Sequence, residues 1–350
     1  MATIKEVARK AGVSVGTVSN VLRGSVRVRS EVRERVDHAI RSLDYHPNQI
    51  ARSLKTRQTR LLGMVISDIT NPFFPQLVRG AEDSALQHGY LLIASNTDDQ
   101  VEREKQVMSV MRTQCVDGIL LVVAPSDGES DHIRNMLSSK IPVVCLDRLP
   151  RHLRTHSVVT DAVYGAEMCM RHLISVGHRR IGMVNGNLLL QTAQDRLEGY
   201  KNALGQAGIP IEPGLILAGD FRFETGYLLT KQLLLSGRNP TALFVANCMM
   251  GLGALKAIKE LGFRCPEDLA LAVFDDVPGN GSFSPEITTV IQPAYELGHR
   301  GTELLIGHIE SGEPEEPVQI RLMPELRIRE STLPRGATAC WPSSPARSVD

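Results

Sequence analysis

Apolar residues recur at helical spacing in three short runs near the start of the chain. These are Ile4, Val7, Ala8 and Ala11, then Val18, Val21 and Leu22, then Val32, Val36, Ala39, Ile40 and Leu43. Gly12 stands where the first helix must stop and turn, and Ser14 is placed to cap the second by accepting the Thr17 N–H. Pro47 closes the third, and "NQIARSLKT" after it reads as a short, conditional helix. From Leu61 the pattern changes to short apolar runs separated by amphipathic stretches, one of which sets Phe74, Leu77, Val78, Ala81 and Ala85 on a single face. A first series runs through "LLGMVIS", "YLLIAS", "GILLVV" and "PVVCLD". A second, opening near residue 157, runs through "SVVT", "RIGMVNG", "LILAG", "ALFVAN" and "LALAVFDD". Strands alternating with helices predict parallel sheets covered on both faces, and two series predict two similar lobes. The fold class is therefore α/β, with an all-α head before the sheets begin. The tail, "PRGATACWPSSPARSVD" at 334–350, has turn-formers without period and is expected to be disordered.

A chain of 350 residues has room for two or three units. Its formal net charge of zero conceals an asymmetry: residues 1–60 carry 13 Lys and Arg against 5 Asp and Glu, leaving 26 against 34 for residues 61–350. A basic head on an acidic body implies that the head meets a polyanion. The six cysteines are widely spaced and form no C-x-x-C pair, which points to reduced thiols in a cytosolic protein rather than a disulfide framework or zinc site. No secretory signal precedes the first motif, and no apolar run reaches membrane-spanning length. A cytoplasmic protein without membrane partners is expected.

Two short helices joined by a Gly-containing turn form a helix-turn-helix, whose second helix fits the DNA major groove and presents its N-terminal residues to base edges. Small residues at the start of that helix and the basic charge around it favour DNA over simple helix packing.

The ordered set "TIKEVARKAGVSVGTVSNVL", "HPNQIARSLKT", "DITNPFF", "VDGILL", "PVVCLDR", "GHRRIG", "RLEGY", "PTALFVANCMMGLGAL", "PEDLALAVFDD" and "LRIREST" resembles the LacI/GalR family of bacterial transcription regulators, in particular its purine and ribose repressor branch. The likeness covers residues 2 to about 333. It implies a helix-turn-helix DNA-binding domain at 1–46 and a hinge helix and linker at 47–60. It also implies a two-lobed, periplasmic-binding-protein-like body at 61–333 for effector binding and dimerisation. The implied function is effector-controlled repression by a homodimer on an inverted-repeat operator.

By position, the resemblance implies that Val15, Gly16 and Thr17 begin the recognition helix and that Asn20 reads a base. Asn pairs best with adenine, where many relatives carry a guanine-reading Arg, and Val15 suits a thymine methyl. Ser19, Tyr45, His46 and Asn48 are candidate phosphate or sugar contacts. Leu54 matches the hinge leucine that wedges between base pairs in the minor groove, with Lys55 beside it. An exposed leucine among Arg52, Lys55 and Arg57 makes sense as such a wedge.

In two-lobed parallel-sheet proteins, ligands bind where strands end, in the crevice between lobes. The candidate effector residues are Phe73 and Phe74 as ring-stacking groups and Asp147 and Arg148 after the fourth strand. The resemblance further implies Arg196, where relatives hold a ligand's carboxylate or hydroxyls, the pocket positions Phe221 and Asp275, and Asn247 of the "AN" motif. For Phe74 core packing competes, and Asp275 could instead cap a turn. The Asn247–Cys248 pair departs from sugar-binding relatives, which often carry Asp second; a thiol is a poor acceptor. "NGNLLLQ" puts leucines where relatives are often polar, so a sugar or a nucleobase-like effector stays open.

An enzyme would need machinery the sequence does not offer. It has no Walker A motif and no G-x-G-x-x-G opening a helix after a strand, and no cofactor is expected. "GLGAL" at 251–255 reads as helix packing, and His152 with His156 lacks partners for a metal. The competing non-enzymatic reading is a sugar-type binding protein without direct DNA regulation.

Overall fold

The computed structural model describes residues 2–22, 28–45, 58–128, 130–277, 279–311 and 316–333, which fall into two compact units, Met1–Thr59 and Arg60–Asp350.

Thr3 opens α1 (Ile4–Ala11) with a capping box: its hydroxyl accepts the Glu6 N–H at 3.3 Å, and the Glu6 carboxylate accepts the Thr3 N–H at 2.7 Å. Gly12 ends the helix at φ 63°, a left-handed conformation that carries no Cβ penalty for glycine. Ser14 Oγ then accepts the Thr17 N–H at 3.1 Å and starts α2 (Val15–Leu22), as its position in the sequence predicts. With α3 (Ser30–Ser42), these helices close on a small core built around Val7, Val18, Val36 and Tyr45.

The second unit contains two six-stranded sheets. The first holds β1 (Leu61–Ile66), β2 (Leu91–Asn96), β3 (Gly118–Leu121), β4 (Val143–Leu146), β5 (His156–Thr160) and β11 (Gln319–Leu322), in the order β11-β5-β4-β3-β1-β2. The second holds β6 (Ile181–Asn185), β7 (Ile216–Ala218), β8 (Ala242–Val245), β9 (Ala270–Phe274), β10 (Thr288–Ile291) and β12 (Glu325–Arg327), in the order β12-β10-β9-β8-β6-β7. Every pairing is parallel except β10 with β12. Central strands such as β3, β4, β8 and β9 are buried throughout, which is why they read as unbroken apolar runs.

One expectation is corrected. The "SVVT" run does not begin the second lobe: β5 lies in the first sheet, between β4 and β11. The chain crosses over only after it, and α7 (Ala162–Ser175) packs against the second sheet. Periodicity identifies a buried strand but carries no information about which sheet receives it.

Three crossings join the lobes. The first follows β5; the second leads from β10 to α11 (Ala294–Ser311), which returns to the first lobe; the third links β11 to β12. In the first lobe, α11 crosses α4 (Phe73–Gln87) at very short range. A Cβ on Gly80 would lie 1.9 Å from Tyr295 O, and one on Gly298 would lie 2.0 Å from Leu77 O. Gly80→Ala is therefore expected to cost about 2 kcal/mol or more through overpacking. It should lower the denaturation midpoint without changing the fold class; an unchanged midpoint would show that the two helices part freely. The "GLGAL" segment does the same work in the second lobe. It lies within α10 (Cys248–Glu260), where a Cβ on Gly253 would meet Phe223 O of α9 (Phe223–Leu235) at 2.2 Å.

The five described cysteines form no disulfide, and among the described residues no His, Cys, Asp or Glu cluster could hold a metal ion. No helix among them is long and apolar enough to cross a membrane.

Candidate functional site

In the head, α2 has two faces. Val18 and Val21 are buried, whereas Val15, Gly16 and Asn20 are exposed and Thr17 and Ser19 half-buried. A Cβ on Gly16 would meet nothing nearer than Ser14 Oγ at 3.7 Å, so packing within the head does not demand a glycine there. Tyr45 sits in the head's core at 9% exposure, so its ring is structural and only its rim faces out. His46, Asn48, Leu54 and Lys55 lie outside the described residues.

In the body, all eight expected effector residues converge on one cavity between the lobes: Phe73, Phe74, Asp147, Arg148, Arg196, Phe221, Asn247 and Asp275. Asn71, Thr192 and Gln292 complete the wall and were not anticipated. Asn71 lies inside "DITNPFF"; Gln292 follows β10, a strand whose sequence "TTVI" drew no attention. Three of these residues hold left-handed backbone just beyond strand ends: Asp147 at φ 62° after β4, Phe221 at φ 68° after β7 and Asp275 at φ 72° after β9. Asp tolerates that conformation, but a phenylalanine there is a real outlier, and such strain collects at functional sites.

The charged groups are held tightly. Arg148 donates through Nη1 to Asp99 Oδ1 at 2.5 Å and to Val123 O at 3.3 Å, with Asp147 Oδ2 3.7 Å from its Nε. Arg196 donates to Ala246 O at 2.6 Å and lies over the Phe274 ring at 4.1 Å. Gln292 Nε2 donates to Asp275 Oδ1 at 2.5 Å. Burial pushes the Asp147 carboxyl up to about 6 against the pull of Arg148 and Arg196. Burial also raises Asp275, opposed by Arg196 and the Gln292 hydrogen bond. Four polar atoms of the wall are buried with no hydrogen-bond partner within the protein: Asp147 Oδ1, Arg148 Nε, Arg196 Nε and Gln292 Oε1. Buried polar atoms are rarely left so, and here two donors and two acceptors belong to residues that line one cavity.

Two expected contacts change character. Asn247 caps α10 by accepting the Met250 N–H at 2.9 Å and donates to Phe221 O at 2.8 Å, so both ends of its amide are engaged and it fixes Phe221. Phe74 is 2% exposed and belongs to the apolar core beneath α4, where it meets Phe73 edge-on at 5.1 Å. Cys248 is fully buried, and its Sγ lies 3.6 Å from Asn71 Oδ1 of the other lobe. Burial pushes that thiol above its ordinary range.

The space between these residues is about 20 Å³, room for about one water. A wider cleft of about 500 Å³ opens beside it, past Phe73, Asp275 and Gln292. The lobes touch through Arg222 to Asp98 O at 3.2 Å and Arg151 to Leu188 O at 3.4 Å. As the lobes stand, a ring-sized ligand fits the wider cleft and not this smaller space.

A helix-turn-helix head followed by a two-lobed body with a polar cavity at its strand ends defines a ligand-controlled DNA-binding regulator. The head matches bacterial regulatory proteins of the lacI family over residues 3–48, and residues 170–332 match a periplasmic binding protein-like domain. The chain is 36% identical to the ribose operon repressor of Haemophilus influenzae, over 95% of this chain and 98% of that protein. It is 36% identical to the HTH-type transcriptional repressor PurR of Pasteurella multocida, over 96% of this chain and all of that one. Among solved structures it is similar to the lac repressor dimer bound to operator and an anti-inducer, with a TM-score of 0.84, 27% identity and coverage of 95% and 99% of the two chains. The chain belongs to the LacI family of bacterial transcription regulators.

Proposed function

We propose that this protein is a homodimeric repressor that reads an inverted-repeat operator through α2 and releases or tightens its grip when a neutral polyhydroxylated small molecule binds between its lobes. The observation that carries the effector class is the set of four unpartnered buried atoms. The first lobe offers a carboxylate oxygen and a guanidinium N–H at Asp147 and Arg148; the second lobe and its connection offer the same pairing of donor and acceptor at Arg196 and Gln292. A hydroxyl both donates and accepts, so sugar hydroxyls satisfy such mixed pairs atom by atom. The rings of Phe73 and Phe221 would cover the ligand's apolar faces. The ligand is bound and released unchanged; relatives carry the names of repressors, not enzymes.

In this reading Val15, Gly16, Thr17 and Asn20 face the bases, while Ser19, Tyr45, His46 and Asn48 hold phosphates or sugars. Residues 47–60 form the hinge, with Leu54 as its minor-groove wedge beside Lys55. Leu54→Ala should weaken operator binding by a few kcal/mol per dimer at most and reduce DNA bending with it. Bend angle and affinity measured on one operator check this; if neither moves, the hinge role is lost.

The primary test is ligand-dependent thermal stabilisation of the full chain by neutral pentoses and hexoses, sugar phosphates and purine bases. Neutral sugars should stabilise it most. A purine base that outperforms every sugar would overturn the effector class.

Asp147 adds a pH signature. Its folded pKa is raised to about 6, so the stability it contributes to the unliganded protein is present below its ordinary value of 3.8 and is lost as pH rises through about 6. Effector affinity should move the opposite way, since the ionised carboxylate is a pure and charged acceptor, whereas protonation removes the charge and turns one oxygen into a donor. Affinity is expected to rise about tenfold between pH 5 and pH 7. Asp147→Asn should flatten the profile; an equally steep profile in that variant would assign the titration elsewhere.

A further inference from the structure

Among the described residues, the buried acidic side chains are Asp147 and Asp275 at the cavity and Glu104, 1% exposed, outside it. Glu104 projects from α5 (Val101–Thr113) and engages both oxygens. Oε2 accepts the Ala124 N–H at 2.6 Å, and Oε1 lies 2.6 Å from Nε2 of His132 on α6 (Asp131–Ser138). A carboxylate is costly to bury, so its placement calls for a reason.

The Ala124 N–H belongs to the same peptide group as the Val123 carbonyl, and that carbonyl accepts from Arg148 Nη1 at 3.3 Å. One peptide plane therefore has a carboxylate at its N–H end and a guanidinium at its C=O end. Both charges polarise it in the same sense, which strengthens each hydrogen bond. We propose that Glu104 is a positioning residue for the effector site: through the Val123–Ala124 peptide it fixes the Arg148 guanidinium in the cavity wall. His132 engages the second oxygen of Glu104 and is no part of the link to Arg148. The significance for effector affinity rests on the cavity reading above, whereas the coupling of Glu104 to Arg148 does not.

The test needs no effector. The full-length protein is labelled with [15N]arginine, and the Arg148 and Arg196 Nε–H signals are assigned by their loss in Arg148→Lys and Arg196→Lys. Glu104→Gln keeps the size and a hydrogen-bonding amide but removes the charge. It should speed exchange of the Arg148 Nε–H about tenfold and shift its signal, the scale of one charge-assisted hydrogen bond. The Arg196 signal in the other lobe should stay in place, which separates local release from general loosening. His132→Gln leaves the Glu104 carboxylate and should leave the Arg148 signal nearly unmoved. Unchanged Arg148 exchange in Glu104→Gln would show that Asp99 alone holds the guanidinium and would overturn the proposal, as would an equal effect from His132→Gln. Should Glu104→Gln fail to fold, Arg148→Gln supplies the reciprocal measurement. Hydrogen exchange at the Ala124 amide should then rise about tenfold, and unaltered protection would refute the coupling.

Discussion

Arg196→Ala is expected to lower effector affinity by at least about a hundredfold and to silence the operator response while leaving the head folded. The guanidinium is anchored on Ala246 O and on the Phe274 face, which holds it in one orientation in the cavity wall with its Nε–H unpartnered within the protein. Hydrogen bonds from charged groups contribute about 1.5–3 kcal/mol each, and a ligand hydroxyl would lose that outright. A second loss follows from the neighbours. Arg196 holds down the carboxyls of both Asp147 and Asp275 against burial, so its removal raises both further and leaves less carboxylate to accept hydroxyls near neutral pH. The variant's pH profile of effector binding should therefore shift upward as its affinity falls. Calorimetric titration of the parent and variant with the sugar that best stabilises the parent provides the check. A variant that binds and responds as the parent does would make Arg196 a purely structural residue.

Deleting one half-site from the operator is expected to have a larger effect, a loss of at least about a thousandfold in affinity. One α2 helix offers few side chains to base edges: Val15 has only methyls, Gly16 has none, and Asn20 is the single amide. Each good base contact discriminates by about 1–3 kcal/mol, so one head cannot separate an operator from genomic background. Two heads on one dimer read twice as many bases, and their contributions add within a single binding event. Affinity on the full site should also fall steeply with salt, because the basic head displaces counterions. Equal affinity for half and whole sites would remove the dimeric reading.

The sequence disclosed the site more fully than the architecture around it. Asp147 was accessible because it follows an apolar run, and strand ends are where such folds bind ligands, whereas Phe221 and Asp275 were reached through the family resemblance. Glu104 gave no such signal: it lies within an amphipathic, charge-rich helix where a solvated face is the natural reading, and its partners are 20 and 28 residues away. β10, β11 and β12 were missed because "TTVI", "QIRL" and "ELR" are short and polar-interrupted, two of them at sheet edges. Likewise, nothing local to "SVVT" told which lobe it joins. Pairing is a long-range property, and only the partner strand decides it.

The three crossings between lobes also have a consequence for synthesis on the ribosome. The lobe whose residues emerge first stays incomplete until nearly the whole body has been made, because α11 and β11 come from its far end. Until they are made, the nascent chain holds an unpaired β5 edge and, on α4, the glycine-lined surface that later receives α11. Exposed strand edges and bare apolar faces are what chaperones bind and what drives aggregation. The second lobe meanwhile has all of its sheet except β12 by Ile291 and can fold as an insertion within an incomplete host. A chain stopped before Ala294 should therefore yield one ordered lobe and one that engages the chaperone machinery.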